Sequence, residues 1–220
     1  MEIFQWEVFI KKESNRIIDV YKQKDNFKEK SSWGYVWKYS EIPPNAIELR
    51  WLGNIGASEK EIQSAEKRLG IKFPPSYRNF LRITNGWEGW NLSEIGGLYS
   101  SRKVVKFSDF YQDLIDSMIR DEERYSYIVE LDEKKYFSYG PDQYAYRARH
   151  LQQCLLINDY DKGDNAHILL NPNVIHDEEW EAWAIFEGGI KRWISFESMF
   201  KEIGVAGKWV EEISDLLNWG

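Results

Sequence analysis

Residues 57–90 read ASEKEIQSAEKRLGIKFPPSYRNFLRITNGWEGW, and this run spells two helices together with their ends. Ser58 is placed to cap the first helix while Glu61, three residues on, reaches back to the Ser58 amide, the reciprocal arrangement of a capping box. Gly70 stops that helix. Ile62, Ala65 and Leu69 recur at helical spacing and form one apolar stripe, leaving Lys60, Glu66, Lys67 and Arg68 for water. The second helix opens at Pro74-Pro75, where a missing amide costs nothing in the first turn, and closes at Asn85-Gly86, where a left-handed residue is cheap. Tyr77, Phe80, Leu81 and Thr84 make its inner face.

The same residues resemble the N-terminal signature of the Smi/Knr family of the SUKH superfamily: Glu66 to Gly70, then Phe73 to Tyr77, then Phe80-Leu81, then Asn85-Gly86. A second block is similar to the C-terminal half of bacterial members, in Leu169-Leu170-Asn171-Pro172, Glu179 to Trp183 and Ser195-Phe196-Glu197. Together the blocks run from about Ile55 to Ile203. The resemblance implies an α+β single domain with a central, mainly antiparallel sheet, the helix pair on its N-terminal side and C-terminal helices packed around it. It also implies a protein that binds another protein without catalysis. Bacterial relatives include immunity proteins that neutralise toxins, many of them nucleases, and fungal relatives act in cell-wall assembly signalling.

Composition is compatible with that reading. Forty-three percent hydrophobic and 30% charged residues over 220 positions suit a chain with a proper core. Eleven Trp, 13 Tyr and 11 Phe fit large aromatic cores, which is the commoner use of such rings than a ring-rich binding surface. The first residues carry no basic region followed by an apolar run, and no uninterrupted apolar stretch is long enough to span a bilayer, so a cytoplasmic protein without membrane association is expected. The single cysteine, Cys154, excludes an internal disulfide and a cysteine-based zinc site; before Leu155-Leu156-Ile157 it reads as a small hydrophobe in a strand. A formal net charge of −7 disfavours nucleic acid as a partner. From Asp159 to Glu197 nine acidic residues face three basic ones, a balance of −6.

Outward from the helix pair, Trp6, Phe9, Ile10, Ile17 and Tyr21 predict a surface-docked amphipathic helix. Lys22 to Asn54 reads as an irregular arm carrying Trp33, Trp37, Tyr39 and Trp51, broken at Pro43-Pro44. Residues 1–54 are thus expected to pack, as helix and arm, on a main domain of residues 55–220. Downstream, Leu98 to Phe107 predicts a strand, and Ser108 starts a helix with Phe110, Leu114, Ile115 and Met118 on one side. Cys154 to Asn158 pairs with Ala166 to Asn171, and Glu181 to Glu187 pairs with Lys191 to Ile194 across Gly188-Gly189. Ser195 caps a helix bearing Phe196, Met199, Phe200 and Ile203, and Trp209 to Leu217 suits a last one.

Tests for chemistry return little. Counted from Asp159, the acidic loop has its glycine fifth and Leu170 twelfth, which is not the register of a calcium loop. His150, His167 and His176 lack a companion nucleophile motif, and carboxylate pairs such as Glu179 and Glu181 are expected by chance among 36 acids. No catalytic residue, metal or cofactor is expected. The candidate partner-binding residues are Trp87, Glu88 and Trp90, the loop carboxylates Asp159, Asp161 and Asp164, and the run Glu178, Glu179, Trp180, Glu181 and Trp183. Their acidity suits a basic protein partner, a toxin domain in the immunity reading, and a regulatory adaptor without a toxin is the alternative. The sequence leaves the oligomeric state open.

Overall fold

The helix pair closes as its sequence requires. In the computed structural model, which describes residues 2–22, 42–88, 96–125, 136–137, 146–158, 166–186 and 189–203, Ser58 Oγ accepts the Glu61 amide at 3.3 Å while Glu61 accepts the Ser58 amide at 3.0 Å. Helix α3 then runs Glu59–Leu69 and ends on a left-handed Gly70 at φ 73°. (The helices before it are α1, Ile3–Tyr21, and α2, Pro44–Leu49.) Glu66 departs from expectation, because it is buried: it accepts the Phe73 amide at 2.8 Å and pairs with Arg78 of the next helix. Helix α4, Pro75–Ile83, keeps Tyr77, Phe80, Leu81 and Thr84 inside. Its end is set by Thr84, in extended backbone at φ −144°, rather than by Gly86.

Gly86 serves a different purpose. Its φ is 108°, and a Cβ there would sit 2.8 Å from Asn54 Nδ2 and 3.2 Å from the Leu98 carbonyl oxygen. Only a glycine combines that backbone with that closeness.

Helix α1 lies deeper than a surface-docked helix. Trp6 is fully buried, stacks on Phe196 at 5.7 Å and meets Phe80 and Phe200 edge-on at 5.7 and 5.4 Å. Offset and edge-to-face rings at these spacings are the favoured aromatic geometries. Pro43-Pro44, expected to break regular structure, instead opens α2, since proline at the first helical position gives up no hydrogen bond. Leu52 follows in the core, its amide donating to Ser14 of α1. The arm residues Trp33, Trp37 and Tyr39 lie outside the described residues.

Among the described residues five strands form one antiparallel sheet in sequence order: β1 Val105–Lys106, β2 Leu155–Leu156, β3 His167–His176, β4 Glu179–Phe186 and β5 Gly189–Trp193. The expected pairs are present, with Leu155 opposite Leu170 and Phe186 opposite Gly189. The strand expected over Leu98 to Phe107 shrinks to a bridge at Leu98 and the two residues of β1. Between them the chain turns, and Arg68 of α3 takes the carbonyls of Ser101 and Val104.

Strand alternation sends side chains to two faces, and helices cover both. Leu155, Ile168, Leu170, Trp180, Ala182, Ala184 and Trp193 join one core with α1, α3, α4 and the C-terminal helix α6, Phe196–Ile203. Leu156, Leu169, Trp183, Ile185 and Ile190 join a second core with helix α5, Ser108–Tyr125, and the 3-10 turn Ala148–Gln153. The fold is α+β with the sheet as the middle layer. At the start of α6, Ser195 Oγ accepts the Ser198 amide at 3.0 Å, the cap expected there. The helix expected over Trp209 to Leu217 lies outside the described residues.

Candidate partner-binding surface

Single-residue bridges extend the sheet past β2: Asn158 to Leu98, Leu98 to Trp87, and Trp87 to Gly53. This ladder gathers the stems of two candidate segments at one end of the molecule, because Trp87-Glu88 and Asn158 both flank Leu98. Trp87 itself turns inward, fully buried and 6.1 Å from the Phe200 ring, so it plugs the core instead of facing a partner. Glu88 is exposed, its amide held by the Leu52 carbonyl at 3.0 Å. It borders a shallow groove lined by Asn54, Leu98, Tyr99, Ser100 and Lys103. Trp90, Asp159, Asp161 and Asp164 lie outside the described residues.

The other candidates stand elsewhere. β3 carries the chain ten residues away from the Asn158 end, a run of roughly 30 Å at ordinary strand rise. There Asp177 and Glu178 form the hairpin tip between His176 and Glu179, both exposed and both left-handed at φ 48° and 69°. Glu179 reaches sideways to the first turn of α4, where it accepts the Ser76 amide and hydroxyl at 2.7 and 2.6 Å. Trp180 is buried on the α4 side of the sheet.

Glu181 and Trp183 point to the opposite face and are fully buried. Glu181 pairs with Arg192 of β5, which is equally buried, and also accepts from Trp183 Nε1 at 2.9 Å and Asn171 Nδ2 at 3.2 Å. Arg192 in turn donates to the Tyr136 carbonyl at 2.9 Å and lies 3.7 Å from the centre of the Tyr136 ring. These hydrogen bonds are what permit a charge pair inside the fold. The expectation that Trp87, Trp180, Glu181 and Trp183 meet a partner is therefore corrected: each faces the interior. Among the described carboxylates of the acidic segment, Asp177 and Glu178 are exposed at the hairpin tip, Glu179 is turned to Ser76 and Glu181 is buried, so these neighbours in sequence do not share one surface.

Of the groups suited to chemistry, Cys154 and His167 are buried, while His150 and His176 are half-buried. Burial pushes the Cys154 thiol well above its usual range, and the thiol rests on the His150 carbonyl at 3.3 Å. Burial also pulls His167 down to about 4, keeping it neutral between the rings of Phe107 and Tyr111. His150 is lowered too, first by burial and then by Arg147. Among the described residues no three His, Cys, Asp or Glu side chains converge as metal ligands would, and no helix is long and apolar enough to cross a membrane.

The SMI1/KNR4 family (SUKH-1) model matches residues 56–202, a span that includes the Ser58 box, the Pro74-Pro75 entry and the β3–β4 hairpin. The chain belongs to this family. No curated protein matches it. The match runs from just before the α3 cap into α6, so the SMI1/KNR4 unit holds strands β1–β5 and the second core, while the first core also takes Trp6, Ile10, Ile17, Ile18, Tyr21, Ile42 and Leu52 from outside the matched residues. Membership supports a non-catalytic role, of the immunity or regulatory kind, exercised on a protein partner.

One exposed feature went unread in the sequence. On α5, Phe110 is 69% and Leu114 38% exposed, so they do not share one side with Ile115 and Met118 as expected. The inner side is Tyr111, Ile115, Met118 and Ile119. The helix has a kink at Tyr111 (φ −127°, ψ 31°), where that ring turns in to stack on Phe107 at 4.8 Å. The only signal was an apolar arc too wide for one buried stripe.

Proposed function

We propose that this chain is a bacterial immunity protein of the cytoplasm, which neutralises a cognate toxin by binding it directly, a nuclease being one expected kind of target. Membership in the SMI1/KNR4 family is the ground for an immunity or regulatory role. The observation that favours binding over chemistry is the internal placement of Cys154, His167 and Glu181. Cys154 and His167 are buried and uncharged, and the Glu181 carboxylate is taken up by Arg192, Trp183 and Asn171. What remains outside is suited to recognition. Glu88 and Glu178 are exposed carboxylates, and together with Trp90, Asp159, Asp161 and Asp164 they are the groups we assign to contact with a basic partner. Charges at a contact rim mainly speed encounter and select the partner, while desolvated apolar anchors supply most of the affinity.

The test is co-purification with the tagged full-length chain, followed by mass spectrometry and expression of the captured protein by itself. The expected result is a Lys/Arg-rich protein that arrests growth alone and is harmless when this chain is co-expressed. A captured partner with no toxicity would remove the toxin reading and favour a regulatory adaptor of the cell-wall assembly type.

A further inference from the structure

Asn85-Gly86 is the only Asn-Gly pair in the chain, and the fold needs its glycine. At φ 108°, with Asn54 Nδ2 and the Leu98 carbonyl where a Cβ would go, no side chain fits at position 86. Such a pair is chemically fragile. With no Cβ to shield it, the glycine nitrogen can attack the carbonyl carbon of the asparagine side chain. The new N–C bond closes a five-membered succinimide while the bond from that carbon to the side-chain nitrogen breaks. The glycine proton leaves with the amino group as ammonia. Water then opens the ring at either carbonyl, giving aspartate or isoaspartate, and no oxidant or reductant is involved.

The fold ties down both reacting groups. The Gly86 amide donates to the Thr84 carbonyl at 2.9 Å, closing a three-residue turn about Asn85. The carboxamide under attack is fixed from the other side, Asn85 Oδ1 accepting the amide of Ser101 at 2.7 Å, 16 residues on. The Asn85 backbone is held as well: its amide donates to the Ile55 carbonyl at 3.3 Å and its carbonyl accepts from Asn54 Nδ2 at 3.2 Å. Across this clasp the Thr84 hydroxyl donates to the Gly86 carbonyl and accepts the Asn54 amide at 2.9 Å. Cyclisation requires the Ser101 and Thr84 bonds to break together, in a place where Gly86 is buried and Asn85 half-buried.

We propose that Asn85 is a site of spontaneous deamidation which this clasp holds shut, so that the reaction proceeds from the opened chain and the isoaspartyl product does not close again. Isoaspartate adds one methylene to the main chain between residues 85 and 86, where Gly86 has no room to spare. Separation of the α4 end from the Leu98 segment thereby becomes a permanent change, as chemical modification makes an unfolding step irreversible. The inference is independent of the binding role proposed above.

The experiment incubates the full chain in warm, mildly alkaline buffer, native and in urea, and follows residue 85 by peptide mapping with mass spectrometry and an isoaspartate-specific methyltransferase. The expected result is aspartate and isoaspartate at 85 in urea, formed at least about tenfold more slowly in the native chain, the suppression given by a clasp whose opening costs about 1.4 kcal/mol. Thr84→Val keeps the side-chain shape without the hydroxyl, and Asn54→Ala removes the bond to the Asn85 carbonyl. Whichever of them is folded by circular dichroism should be modified several-fold faster than the native wild type. Equal rates in native and unfolded wild type, no reaction at 85 in urea, or folded variants no faster than wild type would each overturn the proposal. An isoaspartyl chain that refolds from urea to the wild-type thermal midpoint would overturn it too.

Discussion

The carboxylate of Glu179, at the start of β4, accepts both the backbone amide and the hydroxyl of Ser76 in the first turn of α4, across 103 residues of chain. A helix beginning Pro-Pro-Ser has no capping side chain of its own, so one of its free amides would be unpaired without this distant acceptor. A carboxylate at a helix N-terminus also meets the favourable end of the helix dipole. The contact ties the SMI1/KNR4 helix pair to the sheet. Glu179→Ala is expected to lower stability by about 1–2 kcal/mol, and Ser76→Ala by less because the amide bond survives. Denaturant midpoints of the two single variants and the double variant check this, the expected result being a smaller loss for the double than the sum of the singles.

The ends of the helix pair give a second expectation. Ser58→Ala removes one half of the capping box and should cost about 1 kcal/mol. Gly86→Ala should cost more, above about 1 kcal/mol, because the added Cβ meets Asn54 and Leu98 in a backbone conformation unfavourable to any side chain. Unchanged thermal midpoints in both would remove this account of the central stretch.

Legibility in the sequence followed the range of each interaction. Caps and stripes within α3 and α4 depend on residues a few positions apart, so Ser58, Gly70, Tyr77 and Phe80 could be placed from spacing alone. The hairpin β4–β5 was equally local. Glu179 could not be read, since its partner Ser76 is remote, and an acid in a run of acids resembles any other until the fold chooses its neighbour. Glu181 was misplaced because a carboxylate next to Trp reads as the wet side of a strand. Its burial depends on Arg192, which sits opposite Trp183 on β5, reaching Glu181 diagonally, and on Tyr136 covering that arginine. On α5, the apolar residues are more numerous than one face can bury, and the kink at Tyr111 decided which of them turned in. Contiguity in sequence was the weakest guide: β3 separates the acidic loop stem at Asn158 from the Asp177-Glu178 tip by its whole length.

His167 makes stability depend on pH in a definite direction. Its folded pKa is pulled down to about 4 by burial, against an ordinary value of 6.5. Between those values the unfolded chain binds a proton that the folded one does not, so stability falls as pH drops from 6.5 towards 4 and levels off below. The slope from this residue is at most about 1.4 kcal/mol per pH unit. Comparing urea midpoints at pH 7.5 and 5.0 for the wild type and His167→Leu tests it: the variant should lose much of the acid sensitivity in this window. Equal pH dependence in the two proteins would show that His167 is solvated in the fold.

The buried pair Glu181–Arg192 carries the most demanding expectation, because the two partners are held in the interior by each other and by hydrogen bonds from Trp183, Asn171 and to Tyr136. Arg192→Met leaves a carboxylate without its counter-charge in a medium that solvates charge poorly, and should cost about 3–5 kcal/mol. Removing both charges is a different perturbation. In Glu181→Gln/Arg192→Met the amide can still accept from Trp183 Nε1, the aliphatic side chain fills part of the space of the arginine stem, and no ion is left behind. The double variant should therefore be markedly more stable than Arg192→Met alone. If Glu181 instead served a partner from the surface, Arg192→Met would be tolerated with little loss, and Glu181→Lys would fold and act only on binding. Chemical denaturation of the single and double variants, with near-ultraviolet circular dichroism to report the packing of Trp183, separates the two cases.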